Sequence, residues 1–233
     1  MKKIHDWDLS YSQARELQTR LAGKVKFTPI KKKPKLVAGL DCALSKDGKK
    51  IYAAVVVLRL PELELVETVG TVRKLTFPYI PGLLSFREGP VCIAAAEKLK
   101  SRPDIFIIDG QGIAHPRRLG LAAHLGLFFD RPTIGCAKSR LIGTYEEPPV
   151  LKGTYRQLMD GKDVIGAVVR TRTNVKPVFV SVGNKCLLEE AVMIILACTV
   201  KYRLPEPTRL AHQTVGKLKL NIENQISKNL NHP

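Results

Sequence analysis

"KLVAGLDCAL", residues 35–44, is the stretch on which the fold turns. Its apolar, β-rich composition reads as a buried strand, yet Asp41 stands inside it. An ionised carboxylate there needs a partner or a cation, because desolvation otherwise pushes it to neutralise. Nothing local supplies that partner. Two further strands follow closely: "IYAAVVVLRL" (51–60), a continuous buried run, and "LELVETVGTVRKL" (63–75), which alternates. The short connections predict an antiparallel meander.

Upstream, "DLSYSQARELQTRLAGKVK" (8–26) reads as an amphipathic helix opening at Asp8 or Ser10 and ending near Gly23. Downstream of the meander come a proline-rich loop and a helix over roughly Phe86–Lys100. Then "DIFIIDG" (104–110) is a short buried strand, "PRRLGLAAHLGLFFD" (116–130) a helix and "RPTIGCA" (131–137) another strand. A polar loop (143–163) precedes strands at 164–171 and 177–183, a helix at 187–200 and a last helix from about Thr208. The closing residues, "ENQISKNLNHP", read as frayed. Strand–strand–strand–helix–strand–helix–strand is the order of the ribonuclease H-like fold, whose first strand is central with the fourth parallel beside it. The expectation is therefore α/β: three antiparallel strands followed by parallel strands in one mixed sheet, flanked by helices. Without a linker, residues 1–233 read as a single domain.

Composition narrows the function. Of 233 residues 45% are hydrophobic, enough for a core, while 38 Lys and Arg against 21 Asp and Glu give a net charge of +17. Such a surface attracts polyanions, and phosphate backbones are the commonest of these in a cell. The run Lys31-Lys32-Lys33-Pro34-Lys35 taken alone reads as a solvated loop. No basic amphipathic stretch favours a membrane surface, and the longest apolar run, Ala191 to Val200, is too short to span a bilayer. The five cysteines (42, 92, 136, 186, 198) form no C-x-x-C pair and leave one over, which argues against a disulfide framework and for a reducing interior. With an N-terminus lacking the apolar core of a signal peptide, the expected location is cytoplasmic.

If the first and fourth strands are neighbours, Asp41 and Asp109 meet near neighbouring strand positions, and Glu88, at the start of the helix before the fourth strand, could supply a third acid. Converging like charges repel unless a divalent ion sits among them. Oxygen ligands without a Cys or His cluster point to Mg²⁺ or Mn²⁺, and such sites hydrolyse phosphodiesters. Taken singly, Asp109-Gly110 also reads as a turn, and Glu88 as the closing member of a capping box opened by Ser85, although Pro90 fits better with a helix starting near Gly89.

"FPYIPGLLSFREG", residues 77–89, holds Tyr79 and Ile80 between Pro78 and Pro81. Proline stiffens itself and the residue before it, so the loop presents a rigid aromatic tip. This block, with "DGQGIAHPRRLG" (109–120), "PTIGCAKSRL" (132–141) and "LPEPTRLAH" (204–212), resembles the endonuclease V family, deoxyinosine-directed repair nucleases with a ribonuclease H-like fold. The resemblance runs from "HDWDL" to about His212.

It implies that Asp41, Glu88 and Asp109 bind metal, Mg²⁺ with Mn²⁺ substituting, and that Lys138 lies near the scissile phosphate. Pro78, Tyr79, Ile80 and Pro81 match a strand-separating wedge, with an aromatic ring replacing lost stacking. Gly82, Leu84, Gly110 and Leu121 match a backbone-lined pocket for the flipped base. The implied cut is at the second phosphodiester bond 3′ to the inosine, leaving 3′-hydroxyl and 5′-phosphate ends. The implied partner is DNA containing deoxyinosine, bound by a monomer. Inosine-containing RNA is the alternative substrate, and a non-catalytic nucleic-acid-binding protein is the alternative class. His212 matches a metal-side histidine in some members. His115 either orders its loop or approaches the site, and Arg117 and Arg118 are either phosphate contacts or solvated charge. Two departures stand out: Leu44 where an aromatic is usual, and Asn184 where a histidine is common.

Overall fold

The computed structural model describes residues 2–230, with side chains for 2–225. Eight strands form one mixed sheet: β1 (Leu36–Leu44), β2 (Lys50–Arg59), β3 (Glu64–Lys74), β4 (Ile105–Ile108), β5 (Thr133–Ala137), β6 (Tyr155–Asp160), β7 (Asp163–Val169) and β8 (Val178–Asn184). Their order is β3-β2-β1-β4-β5-β8-β7-β6. The meander forms as expected, and β4 runs parallel to β1 with Leu40 opposite Ile108. Parallel pairing is confined to β1–β4–β5; beyond β5 the sheet returns to antiparallel.

Among the described residues five helices accompany the sheet: α1 (Tyr11–Ala22), α2 (Leu84–Ala96), α3 (Leu121–Phe129), α4 (Leu188–Ala197) and α5 (Glu206–Leu230). Strand side chains alternate between faces. Ala38 and Leu40 of β1, with Phe106 and Ile108 of β4, pack in one cluster with Val91, Cys92 and Ala95 of α2 and Leu121 and Leu125 of α3. Gly39 and Asp41 point the other way, toward α5. A side chain at Gly39 would place its Cβ 2.0 Å from the Pro207 carbonyl, so glycine is what lets α5 lie directly on β1.

Several sequence expectations are corrected. Strand β6 lies inside the segment read as a polar loop; of its side chains only Leu158 is fully buried, so this edge strand carries almost no hydrophobic signal. Helix α2 begins at Leu84, with Leu83 at its N-cap, so the Ser85–Glu88 capping box does not form and Pro90 falls inside the helix. Ser85 instead hydrogen-bonds Nδ1 of His124 at 2.9 Å. Helix α3 begins only at Leu121, because "PRRLG" is a loop in which Arg118 takes a left-handed φ of 54°. Of the stretch expected to fray, residues 223–230 lie in α5 and the last three lie outside the described residues. All five cysteines are free. Among the described residues no helix is long and apolar enough to cross a membrane.

Candidate active site

The parallel register of β1 and β4 brings Asp41 and Asp109 together: the Asp109 N–H donates to Leu40 O at 3.1 Å, so the two acids leave adjacent strands side by side. Helix α5, seated on Gly39, adds His212, whose Nδ1 donates to Asp41 Oδ2 at 2.6 Å. Ligand atoms of Asp41, Asp109 and His212 all lie within 4.8 Å of one another. Asp41 is buried, and its other oxygen accepts from the Cys42 N–H at 2.8 Å. Burial raises its pKa, Asp109 repels it further upward, and the His212 and Cys42 hydrogen bonds only partly offset this.

Glu88 approaches from the other face of the sheet, on α2, and is not part of that tight group. Its pKa is pushed up to about 7 by burial and by the charges of Asp41 and Asp109, against the opposing Cys42 thiol and Arg87. Lys138, just past β5, donates to Asp109 Oδ2 at 2.5 Å. Burial pulls its ammonium down, but the Asp109 hydrogen bond and charge outweigh this, the net shift is upward, and the lysine stays charged. Two carboxylates, one histidine and a third acid on the opposite side form a donor set that fits a hard divalent cation.

The proline loop lies in the connection leading into α2. Phe77 anchors it in the core and Ile80 packs partly inward, while Tyr79 is 68% exposed. Arg87 stands 5.8 Å from the Tyr79 ring centroid, a cation–π contact that braces the tip from behind. Gly82 takes a left-handed φ of 79°, which favours glycine, and no side chain caps the start of α2 beside Leu84. A Cβ at Gly110 would sit 3.6 Å from that of Leu121, so these two positions are in contact across the loop after β4.

The remaining residues resolve differently. His115 is buried; its Nδ1 accepts from the Arg117 N–H at 3.1 Å and it also faces the Gly82 backbone, so it orders the loop. Burial and Arg117 push its pKa down to about 4. Arg117 is not free charge: it donates to Gly82 O at 2.7 Å. Arg118 pairs with Asp160 and Asp163. Asn184 lies at the opposite end of the sheet, paired with Thr133, where its amide bonds Lys26 N and Gly126 O. The departure at 184 therefore leaves the acidic cluster untouched. Leu44 lies on the opposite face of β1 from Asp41.

Two residues went unnoticed in the sequence. Arg203 donates to the carbonyls of Lys138 and Pro177, both at 2.6 Å, and so fixes the backbone that carries the site lysine. Gln18 is fully buried among Ala14, Leu17 and Leu21, and a polar residue on that helical stripe was the available signal.

The profile of the family described as Endonuclease V matches residues 19–213. Endonuclease V of Dehalococcoides mccartyi strain BAV1 is 48% identical over 218 residues, covering 94% of this chain and 98% of that protein. The crystal structure of endonuclease V from Streptomyces avermitilis aligns with a TM-score of 0.89 at 40% identity, covering 93% of this chain and 96% of that one. That of Ciona intestinalis endonuclease V, in complex with a 23mer DNA containing an inosine followed by a ribo-adenosine, aligns with a TM-score of 0.78 at 30% identity over 92% and 100% of the two chains. The family match spans most of the chain and includes the acidic cluster, the proline loop and the segments around them: this chain belongs to the endonuclease V family of nucleases.

Proposed function

We propose that this protein nicks DNA at deoxyinosine, hydrolysing the second phosphodiester bond on the 3′ side of the lesion to leave 3′-hydroxyl and 5′-phosphate ends. The observation that carries this reading is the meeting of Asp41, Asp109 and His212 within 4.8 Å, beside a charged Lys138. The inosine-containing DNA held by the Ciona intestinalis relative supports the choice of substrate.

Asp41 and Asp109, with Glu88 and His212, would hold Mg²⁺, with Mn²⁺ able to take its place. Such an ion would supply Lewis acidity for the phosphate and the leaving oxygen and would lower the pKa of a water toward neutrality. The chain's own residues do the rest. Lys138 adds positive charge where the phosphate gathers negative charge. Glu88, whose carboxyl is pushed up to about 7 by burial and by the charges of Asp41 and Asp109, would complete the acidic ligands from the α2 side. Tyr79 on its braced loop replaces the stacking that the flipped base abandons. Gly82, Leu84, Gly110 and Leu121 form the pocket, where main-chain N–H groups meet hypoxanthine O6. Adenine presents a donor at that edge, and an unpaired buried donor costs about 1–3 kcal/mol.

Wild type and Asp41→Asn are compared on an end-labelled duplex with one deoxyinosine and on an inosine RNA, with and without Mg²⁺. Mg²⁺-dependent cutting of the DNA by the wild type, lost in the variant while binding persists, supports the proposal. Cutting of the RNA alone shifts the substrate to RNA. Binding of both without cutting refutes the catalytic reading.

A further inference from the structure

The two halves of the proposed base pocket come from different places. Gly82 and Leu84 belong to the proline loop and the start of α2, whereas Gly110 and Leu121 flank the long loop after β4. One buried side chain joins them. Gln18 of α1 is 0% exposed, and its Nε2 donates both to Gly82 O at 3.0 Å and to Leu119 O at 2.8 Å. Its Oε1 accepts from Arg117 Nε at 2.5 Å, and Arg117 Nη2 in turn donates to the same Gly82 oxygen at 2.7 Å. Both N–H bonds of the Gln18 amide are thus committed, and its oxygen is engaged as well.

A single planar NH₂ group donating to two carbonyls holds those carbonyls no farther apart than its two bonds allow. One carbonyl lies two residues before Leu84 and the other two residues before Leu121. The Gly82 oxygen receives two donors, which fixes the peptide plane at the turn from the proline loop into α2. A Cβ at Gly82 would lie 2.6 Å from Arg117 Nη2, so the guanidinium fills the space that a side chain would need. We propose that Gln18, assisted by Arg117, is a positioning residue that sets the width of the base pocket and thereby selects for hypoxanthine. The proposal rests on the deoxyinosine reading above. Hypoxanthine and guanine share the O6 acceptor and the N1–H donor, so only pocket shape excludes the guanine 2-amino group, and shape is what this clamp controls. Gln18 touches neither the acidic cluster nor Lys138, so its effect belongs to base recognition rather than to phosphate chemistry.

Two variants separate the clamp from mere packing. Gln18→Glu keeps an acceptor for Arg117 but has no N–H to offer either carbonyl; Gln18→Met keeps the length and offers neither. Dissociation constants are measured by fluorescence anisotropy on a duplex with one deoxyinosine and on the same duplex with guanine at that position, with Ca²⁺ replacing Mg²⁺ to hold back cutting. Melting temperatures are recorded alongside. The inosine-to-guanine preference is expected to fall about tenfold or more in both variants because the guanine duplex binds more tightly, while affinity for the inosine duplex stays within about twofold. A preference unchanged from wild type, whatever happens to the melting temperature, overturns the clamp and leaves the function standing. A wild type that binds both duplexes equally overturns the deoxyinosine reading, and this inference with it.

Discussion

Replacing Glu88 by glutamine should make this protein more stable at neutral and alkaline pH in EDTA, and the upward shift of its carboxyl gives the size of the expected gain. The Glu88 carboxyl has a pKa of about 7 against an ordinary 4.5, chiefly because of burial and then because of Asp41. Between those two values the folded chain keeps a proton that the unfolded chain releases, so stability falls as pH rises through that window and is level above it. Fully expressed, the shift is worth about 3 kcal/mol; allowing for partial exposure, about 1–3 kcal/mol is expected at pH 8.5 and almost nothing at pH 4.5. For a chain of this length that is roughly 3–10 °C in melting temperature. The assay is urea or thermal unfolding of wild type and Glu88→Gln across pH 4.5–8.5 in EDTA. The two curves should coincide near pH 4.5, separate between about pH 4.5 and 7, and keep a constant gap above that, with the variant on top. Added Mg²⁺ should then raise the wild type more than the variant at pH 8.5, because an ionised Glu88 gains from a cation and an amide does not. Parallel curves, or a variant less stable at every pH, would refute the view that Glu88 is a strained acid waiting for positive charge.

Tyr79→Ala should cut incision of an inosine duplex by roughly 5- to 150-fold, the worth of one aromatic–base stack, with a smaller loss on single-stranded inosine DNA, where no partner strand must be held apart; equal losses on both would remove the wedge role. Gly39→Ala forces a Cβ to within 2.0 Å of the Pro207 carbonyl, so α5 must shift and carry His212 away from Asp41. The expected cost is about 1–3 kcal/mol or more in unfolding experiments, with a parallel loss of incision. Gly216→Ala, on the same helix with nothing within 4 Å of a new Cβ, should stabilise by about 0.5–1 kcal/mol and serves as the control. With a net charge of +17, affinity for undamaged duplex should weaken about 1000-fold or more between 50 and 200 mM salt if the footprint covers six phosphates. A shallow salt dependence would mean that the charge is not deployed against DNA.

Asp41 and Asp109 were legible because a carboxylate inside or at the end of an apolar strand is conspicuous, and the order of elements placed those strands side by side. Glu88 was legible as an acid behind a stiff loop, but not its approach from the other face of the sheet, which depends on how α2 packs. The pairing of His212 with Asp41 was invisible to local pattern, since it follows from α5 resting on Gly39, a contact between residues far apart in sequence. Strand β6 was lost because an edge strand with one fully buried residue reads like any polar loop. Arg117 read as either a phosphate contact or solvated charge, because nothing in "AHPRRLG" reveals that its guanidinium turns back to Gly82 and Gln18. Apart from β6, what stayed hidden was built from contacts between distant segments.

The most direct test of the account is single-turnover incision of a duplex carrying one deoxyinosine, with the product end mapped at nucleotide resolution in Mg²⁺ and in EDTA. The account predicts one product, formed only with the metal, ending in a 3′-hydroxyl one nucleotide beyond the lesion on its 3′ side. Cutting that persists in EDTA, or that falls equally on a duplex without inosine, would contradict it.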